Sequence, residues 1–248
     1  MAKKPSGYII YRGPSLLDGK PIVVVAITKE SKNSKTGNMV QTYIMVDNGK
    51  SPVESAKILA DESVCGDCKH RRGTGGSCYV NLGQGPRSVM DGVMRGIYPE
   101  IGFVFLRHIV ARDIAGRKVR LGTYGDPAAV PAWVWAALLR KASGHTGYTH
   151  QWASGKADHV KQWCMASADT PKESFDAWAN GWRTFRVRTA DTWLAGREFI
   201  CPASEEANKR LTCSTCMACS GGIDSGKASV AIVVHGSLKK RFALTVGQ

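Results

Sequence analysis

Four cysteines in the run CPASEEANKRLTCSTCMAC leave the C-terminal part of this chain few ways to fold: Cys201, Cys213, Cys216 and Cys219 follow the spacing C-x11-C-x2-C-x2-C. Two-residue steps around a tight loop aim successive sulfurs at one centre. The closing C-x2-C-x2-C is the run that bacterial iron–sulfur proteins use, and a four-cysteine zinc site starts from the same CxxC pairs. Loops this short suit structural disulfides poorly. Half of the chain's 8 cysteines are therefore expected in one metal unit.

A second group reads CGDCKHRRGTGGSC, with Cys65-x2-Cys68-x9-Cys78. It offers three thiolates. Three cysteines on a glycine-rich loop can bind a [4Fe–4S] cluster and leave one iron open, whereas zinc would need a fourth ligand, for which His70 is the candidate. Lys69, Arg71 and Arg72 inside the loop favour thiolates and attract anions, so they are candidate phosphate contacts. The hairpin tip KESKNSKTGN, with Lys29, Lys32 and Lys35, is a further basic candidate or a solvated loop.

The rest of the chain divides at about residue 62. In 1–62, YIIY, IVVVAI and TYIMV are β-branched and aromatic runs separated by Gly-Pro and Asn-Gly signals, which predict an antiparallel sheet. Ser51-Pro52 then opens a short helix. In 63–248, short β runs at 118–122, 146–152, 163–169, 182–187, 198–203 and 229–236 alternate with helical patterns such as PAWVWAALLRKA and the capped segment after Thr170. Strands alternating with helices predict parallel pairing, so the expected class is α/β, with a partial or complete parallel (β/α) barrel behind a small antiparallel N-terminal sheet. In such a barrel the strand ends share one mouth. Asp126, Thr149, His150, Gln151, Ser167, Asp169, Arg186, Arg188, Cys201 and His235 all follow or end β runs and are expected to converge there.

A formal charge of +14 over 248 residues favours polyanions, DNA or RNA among them. The longest apolar runs are far too short to span a membrane, and the basic N-terminus lacks the apolar stretch of a signal peptide. The expected compartment is the cytoplasm, where cysteines serve as ligands or reactive thiols.

The segments YRGPSLLDGKPIVVVA, CGDCKHR, SCYVNLGQGP, VRLGTYGDPAAVP, TGYTHQW, MASADT, GWRTFRV and CPAS together resemble a family of uncharacterised cysteine-rich bacteriophage proteins, over nearly the whole chain. More distantly, the arrangement resembles compact radical-SAM-like phage proteins. That second resemblance implies a partial barrel holding a [4Fe–4S] cluster on Cys65, Cys68 and Cys78, with Gly125 and Asp126 at the methionine end of S-adenosylmethionine, in the host cytoplasm. The loop there is usually C-x3-C-x2-C, unlike the spacing found here. Three readings follow. The first is an iron–sulfur enzyme with an open cluster and a second, closed four-cysteine site. The second is a zinc-stabilised nucleic-acid-binding protein. The third is a nuclease or nucleotidyl-transfer enzyme using Asp126, His150, Asp169 and Arg186.

Overall fold

The computed structural model of the protein describes residues 4–31, 33, 36–224 and 226–246, the side chains of 103–105 excepted. Lys32 and Lys35 of the hairpin tip lie outside the described residues. The fold is mixed α/β, built on two five-stranded sheets.

In the first sheet, β1 (Gly7–Pro14), β2 (Pro21–Ile27) and β3 (Val40–Val46) run antiparallel. The sheet then changes character, because β3 pairs in parallel with β4 (Lys118–Tyr124), which pairs in parallel with β5 (Gly144–Thr146). The antiparallel strands expected of the N-terminal region are present, yet they share one sheet with strands from beyond residue 62. In β2, Ile22 to Ala26 are all fully buried, as a strand covered on both faces requires.

The second sheet is wholly parallel: β6 (Tyr148–Thr149), β7 (Met165–Ala168), β8 (Thr184–Arg188), β9 (Glu198–Ile200) and β10 (Ser229–Val233) stand in the order β6-β7-β8-β10-β9. Two features depart from a sequential closed barrel. The expected single strand over 146–152 is cut at Gly147, where a Cβ would lie 2.8 Å from the Cys164 sulfur and 3.0 Å from the Trp163 carbonyl oxygen. In addition, β10 enters between β8 and β9. Four of its five residues are buried, whereas all three of β9 are half-exposed, so β10 takes the interior position and β9 the edge.

The helices are α1 (Pro52–Lys57), α2 (Glu62–Cys65), α3 (Gly85–Met94), α4 (Phe103–Ile109), α5 (Ala132–Leu139), α6 (Pro171–Ala179), α7 (Cys213–Cys216) and α8 (Lys239–Val246). Ser51 and Glu54 form a reciprocal capping box on α1. At α6 the expected box is only half made. Thr170 accepts from the Glu173 amide, but the Glu173 carboxylate accepts from the Asp169 amide at 2.6 Å instead. This one-residue shift fixes the end of β7. No helix among the described residues is long and apolar enough to cross a membrane.

A π-helical turn, Val110–Ile114, follows α4 and carries Asp113 under β1. Its carboxylate accepts from Tyr8 Oη at 2.6 Å, and Lys4 and Arg112 stand 2.7 and 3.1 Å away. Burial opposes ionisation of Asp113, yet the Arg112, Lys4 and Tyr8 hydrogen bonds hold its pKa down to about 2. A depressed pKa stabilises the fold above the unfolded value near 3.9 and is lost as pH falls towards 2. With solvent screening around the exposed ends of Lys4 and Arg112, the contribution is about 1–2 kcal/mol. Asp113→Asn should melt below wild type at pH 7, and the gap should narrow as pH drops from about 4 to about 3. A gap that widens with acid would contradict this assignment.

Candidate functional site

The first cysteine group is shaped by tight backbone turns. The Gly76 amide bonds the Arg71 carbonyl and the Cys78 amide bonds the His70 carbonyl, both at 2.9 Å, so the long spacer folds back towards Cys68. Only glycine fits at Gly76 and Gly73: a Cβ would come within 2.3 Å of the His70 backbone in the first case and of Asp61 Oδ1 in the second. Burial, then the neighbouring Cys68 and Cys78, push Cys65 well above its ordinary value. Burial also raises Cys68 to about 12 and Cys78 to about 11. Against this, backbone N–H groups of His70 and Arg71 donate to the Cys68 sulfur, and that of Val80 donates to Cys78.

Beside the loop stand the strand ends that follow β4, β6 and β7. His70 Nδ1 lies 2.6 Å from Ser77 Oγ and Nε2 lies 2.7 Å from Asp169 Oδ2. The two ring nitrogens face Ser77 and Asp169, away from the fourth-ligand place expected in the cysteine loop. Burial opposes ionisation of Asp169, but the His70 hydrogen bond, the nearby His70 and His150 rings and the Lys69 charge hold its carboxyl below the usual range. His70, His150 and Asp169 each bring one ligand atom within 4.8 Å of the others. Asp126 joins the same region, its carboxylate accepting from the amides of Ala128 at 2.9 Å and His150 at 2.8 Å. Its own amide reaches the Val64 carbonyl on α2. Burial raises the Asp126 pKa, with those hydrogen bonds and His150 opposing.

The chain matches no family model, no curated protein and no solved structure. The residues themselves therefore carry the functional argument.

Gly125 and Asp126 serve the chain. A Cβ on Gly125, at φ +80°, would lie 2.6 Å from both Cβ and O of Ile44, and both Asp126 oxygens already accept backbone amides. Such packed groups do not fit a contact to the methionine end of S-adenosylmethionine.

The second cysteine group begins after β9. Cys213 and Cys216 sit one turn apart on α7, and Met217, in the left-handed region at φ +53°, turns the chain towards Cys219. Burial raises Cys219 to about 12; a hydrogen bond from Tyr148 opposes this, while Cys201, Cys213 and Cys216 add to it. A small core of Met165, Cys219 and Val230, backed by Tyr148, Phe185, Phe199 and Cys201, surrounds the group. None of the eight cysteines is in a disulfide. Among the described residues no three sulfurs lie within 4.8 Å of one another. Arg120 stands between the two groups, bonded to Tyr79 Oη at 2.8 Å and lying over the Tyr148 ring.

Other expected site residues are engaged elsewhere. Arg186 is fully buried and paired with Glu198 through Nε and Nη2, at 2.8 and 2.7 Å. Its expected role at the mouth gives way to an internal ion pair. Arg188 is likewise tied to the carbonyls of 189–192 and to Glu206. In the cysteine loop, Lys69 lies 3.1 Å from Asp169 and 2.9 Å from Glu173, and Arg71 lies 3.5 Å from Asp61 and 3.6 Å from Glu62. These two cations answer carboxylates that lie before and beyond the loop, so they are poorly placed for phosphate. Arg72 is half-buried. His235 is exposed beside Tyr79. Glu198, Ser77, Tyr148 and the Phe242 ring stacked on His70 carried no motif that marked them.

Proposed function

We propose that this chain is an iron–sulfur enzyme of the kind its resemblance to bacteriophage proteins implies. Cys65, Cys68 and Cys78 would hold a [4Fe–4S] cluster with one iron left open, and Cys201, Cys213, Cys216 and Cys219 a second, closed site. One observation carries this reading. Burial opposes ionisation of the half-buried thiols of the loop, yet backbone N–H groups are already aimed at the sulfurs of Cys68 and Cys78. A neutral thiol is a weak acceptor, so such donors suit sulfur whose negative charge a metal centre balances.

When bound, the cluster supplies electron transfer and an open coordination position. The chain does the rest. Asp126 ties the cysteine helix α2 to the ends of β4 and β6, and Gln151 Nε2 donates to the Cys65 carbonyl at 3.1 Å, which fixes the loop against the strand ends. In this reading the two sheets form one interrupted barrel-like arc, with β5 and β6 its consecutive pieces. The net charge of +14 makes a nucleic acid the favoured substrate class, met by exposed cations outside the cysteine loop such as Lys239 and Lys240. A reducing host cytoplasm suits eight cysteines outside any disulfide.

The test is Cys68→Ser, purified and reconstituted without oxygen. It should lose about four irons per chain and part of the absorption near about 400 nm, while retaining the iron of the second site. Undiminished iron in this variant would sink the assignment of the loop.

A further inference from the structure

The geometry points to a second kind of metal site beside the cysteine loop: a divalent cation held by His70, His150 and Asp169, with Lys69 occupying its place in the metal-free state. The three ligand atoms come from three separate elements, namely the cysteine loop and the segments after β6 and β7, and lie within 4.8 Å of one another. Two imidazoles and one carboxylate form a donor set suited to first-row divalent ions, and three protein ligands leave coordination positions open.

The surroundings are those of a ligand set. His70 Nδ1 is held by Ser77 Oγ at 2.6 Å, the outer hydrogen bond that orients a metal-binding imidazole and leaves Nε2 for the ion. In the tautomer that places the proton on Nε2, this N–H donates to Asp169 and Nδ1 accepts from Ser77 without metal. With metal, the proton resides on Nδ1, Ser77 turns from donor to acceptor, and no proton is lost from the pair. A serine hydroxyl serves equally in either direction. Phe242 of α8 stacks on the His70 ring, 5.4 Å between centroids and 8° from parallel, and covers one side of the site. Among the described residues, the half-buried His150 ring makes no hydrogen bond of its own, although its backbone amide is pinned by Asp126.

Lys69 explains how the carboxylate is balanced meanwhile. Its ammonium lies 3.1 Å from the same Asp169 oxygen that His70 contacts, and 2.9 Å from Glu173 Oε1. Glu173 can keep the lysine when an ion displaces it from Asp169. The lysine side chain is 38% exposed, which leaves it room to move.

Mn2+ is the probe, because it favours carboxylate and imidazole over thiolate and is visible by electron paramagnetic resonance. Anaerobically purified protein titrated with Mn2+ should bind about one ion per chain. His150→Ala should weaken binding about 100-fold and Ser77→Ala about 10-fold. Lys69→Ala should tighten it several-fold, since a competing cation is removed. Cys68→Ser should still bind Mn2+ even as it loses iron, so this site and the cluster stand or fall separately. No Mn2+ bound by wild type, equal binding by wild type and His150→Ala, or weaker binding by Lys69→Ala would each overturn the proposal.

Discussion

Cys216→Ser is expected to lower thermal stability far more than Cys164→Ser, and to leave the segment from Cys201 to Cys219 unfolded. Around that segment the protein offers little packing: the local core has three buried residues, of which Cys219 is one. Lysine and arginine clamps hold its ends, Lys118 donating to the Ser214 carbonyl and Arg183 to the carbonyls of Ala218, Gly221 and Ala228. In the proposed reading, most of its folding free energy comes from metal binding, which in structural four-ligand sites is about 10–16 kcal/mol. Losing one thiolate sacrifices a large part of that. Cys164 is a different case, fully buried in the main core, its thiol raised well above the ordinary value by burial. A serine there buries a hydroxyl at a cost of about 1–3 kcal/mol. Circular-dichroism melts of the two variants decide the matter. Equal losses would show that the Cys201 group is not a metal-supported unit.

Glu198→Ala should cost about 3–5 kcal/mol in urea unfolding, because it strands a charge that has no access to water. Both side chains of the Arg186–Glu198 pair are 0% exposed. Glu198 also accepts from Ser174 Oγ at 3.0 Å and from the Ala195 amide at 2.9 Å, so one carboxylate joins β8, β9 and α6. Arg186 donates further to the Trp193 carbonyl at 2.8 Å. Replacing both partners by leucine should cost less than removing Glu198 alone, since the stranded charge disappears with its partner. A folded, fully stable Glu198→Ala protein would reopen a chemical role for Arg186 at the mouth.

Elements with strong local chemistry were legible in the sequence. The β-branched run of β2 and the helices opened by Ser51-Pro52, Pro131 and Thr170 all follow from side chains within a few residues of one another. Parallel pairing followed from the alternation of strands and helices. The swap of β10 and β9 did not, because it depends on which strand buries more surface after the cysteine loop has been placed. Gly147 reads as an ordinary turn residue until the nearby Cys164 sulfur shows why the strand breaks there. In the site, the spacing of Cys65, Cys68 and Cys78 marked a unit, and Asp126, His150 and Asp169 were marked as strand ends. Their partners were not legible: Ser77, Glu198 and Phe242 reach their positions through contacts 7, 12 and 172 residues from His70, Arg186 and His70 respectively. Lys69 and Arg71 looked like phosphate contacts because charge in a sequence does not reveal which carboxylates will fold against it.

The central claim is that the cysteine loop and the C-terminal cysteine group carry iron–sulfur clusters. Metal and acid-labile sulfide analysis of the intact protein, purified without oxygen, tests this most directly. The account predicts iron and sulfide in about equal amounts, approaching roughly eight of each per chain if both sites hold four-iron clusters. Zinc without iron, or a fully folded protein free of metal, would contradict it.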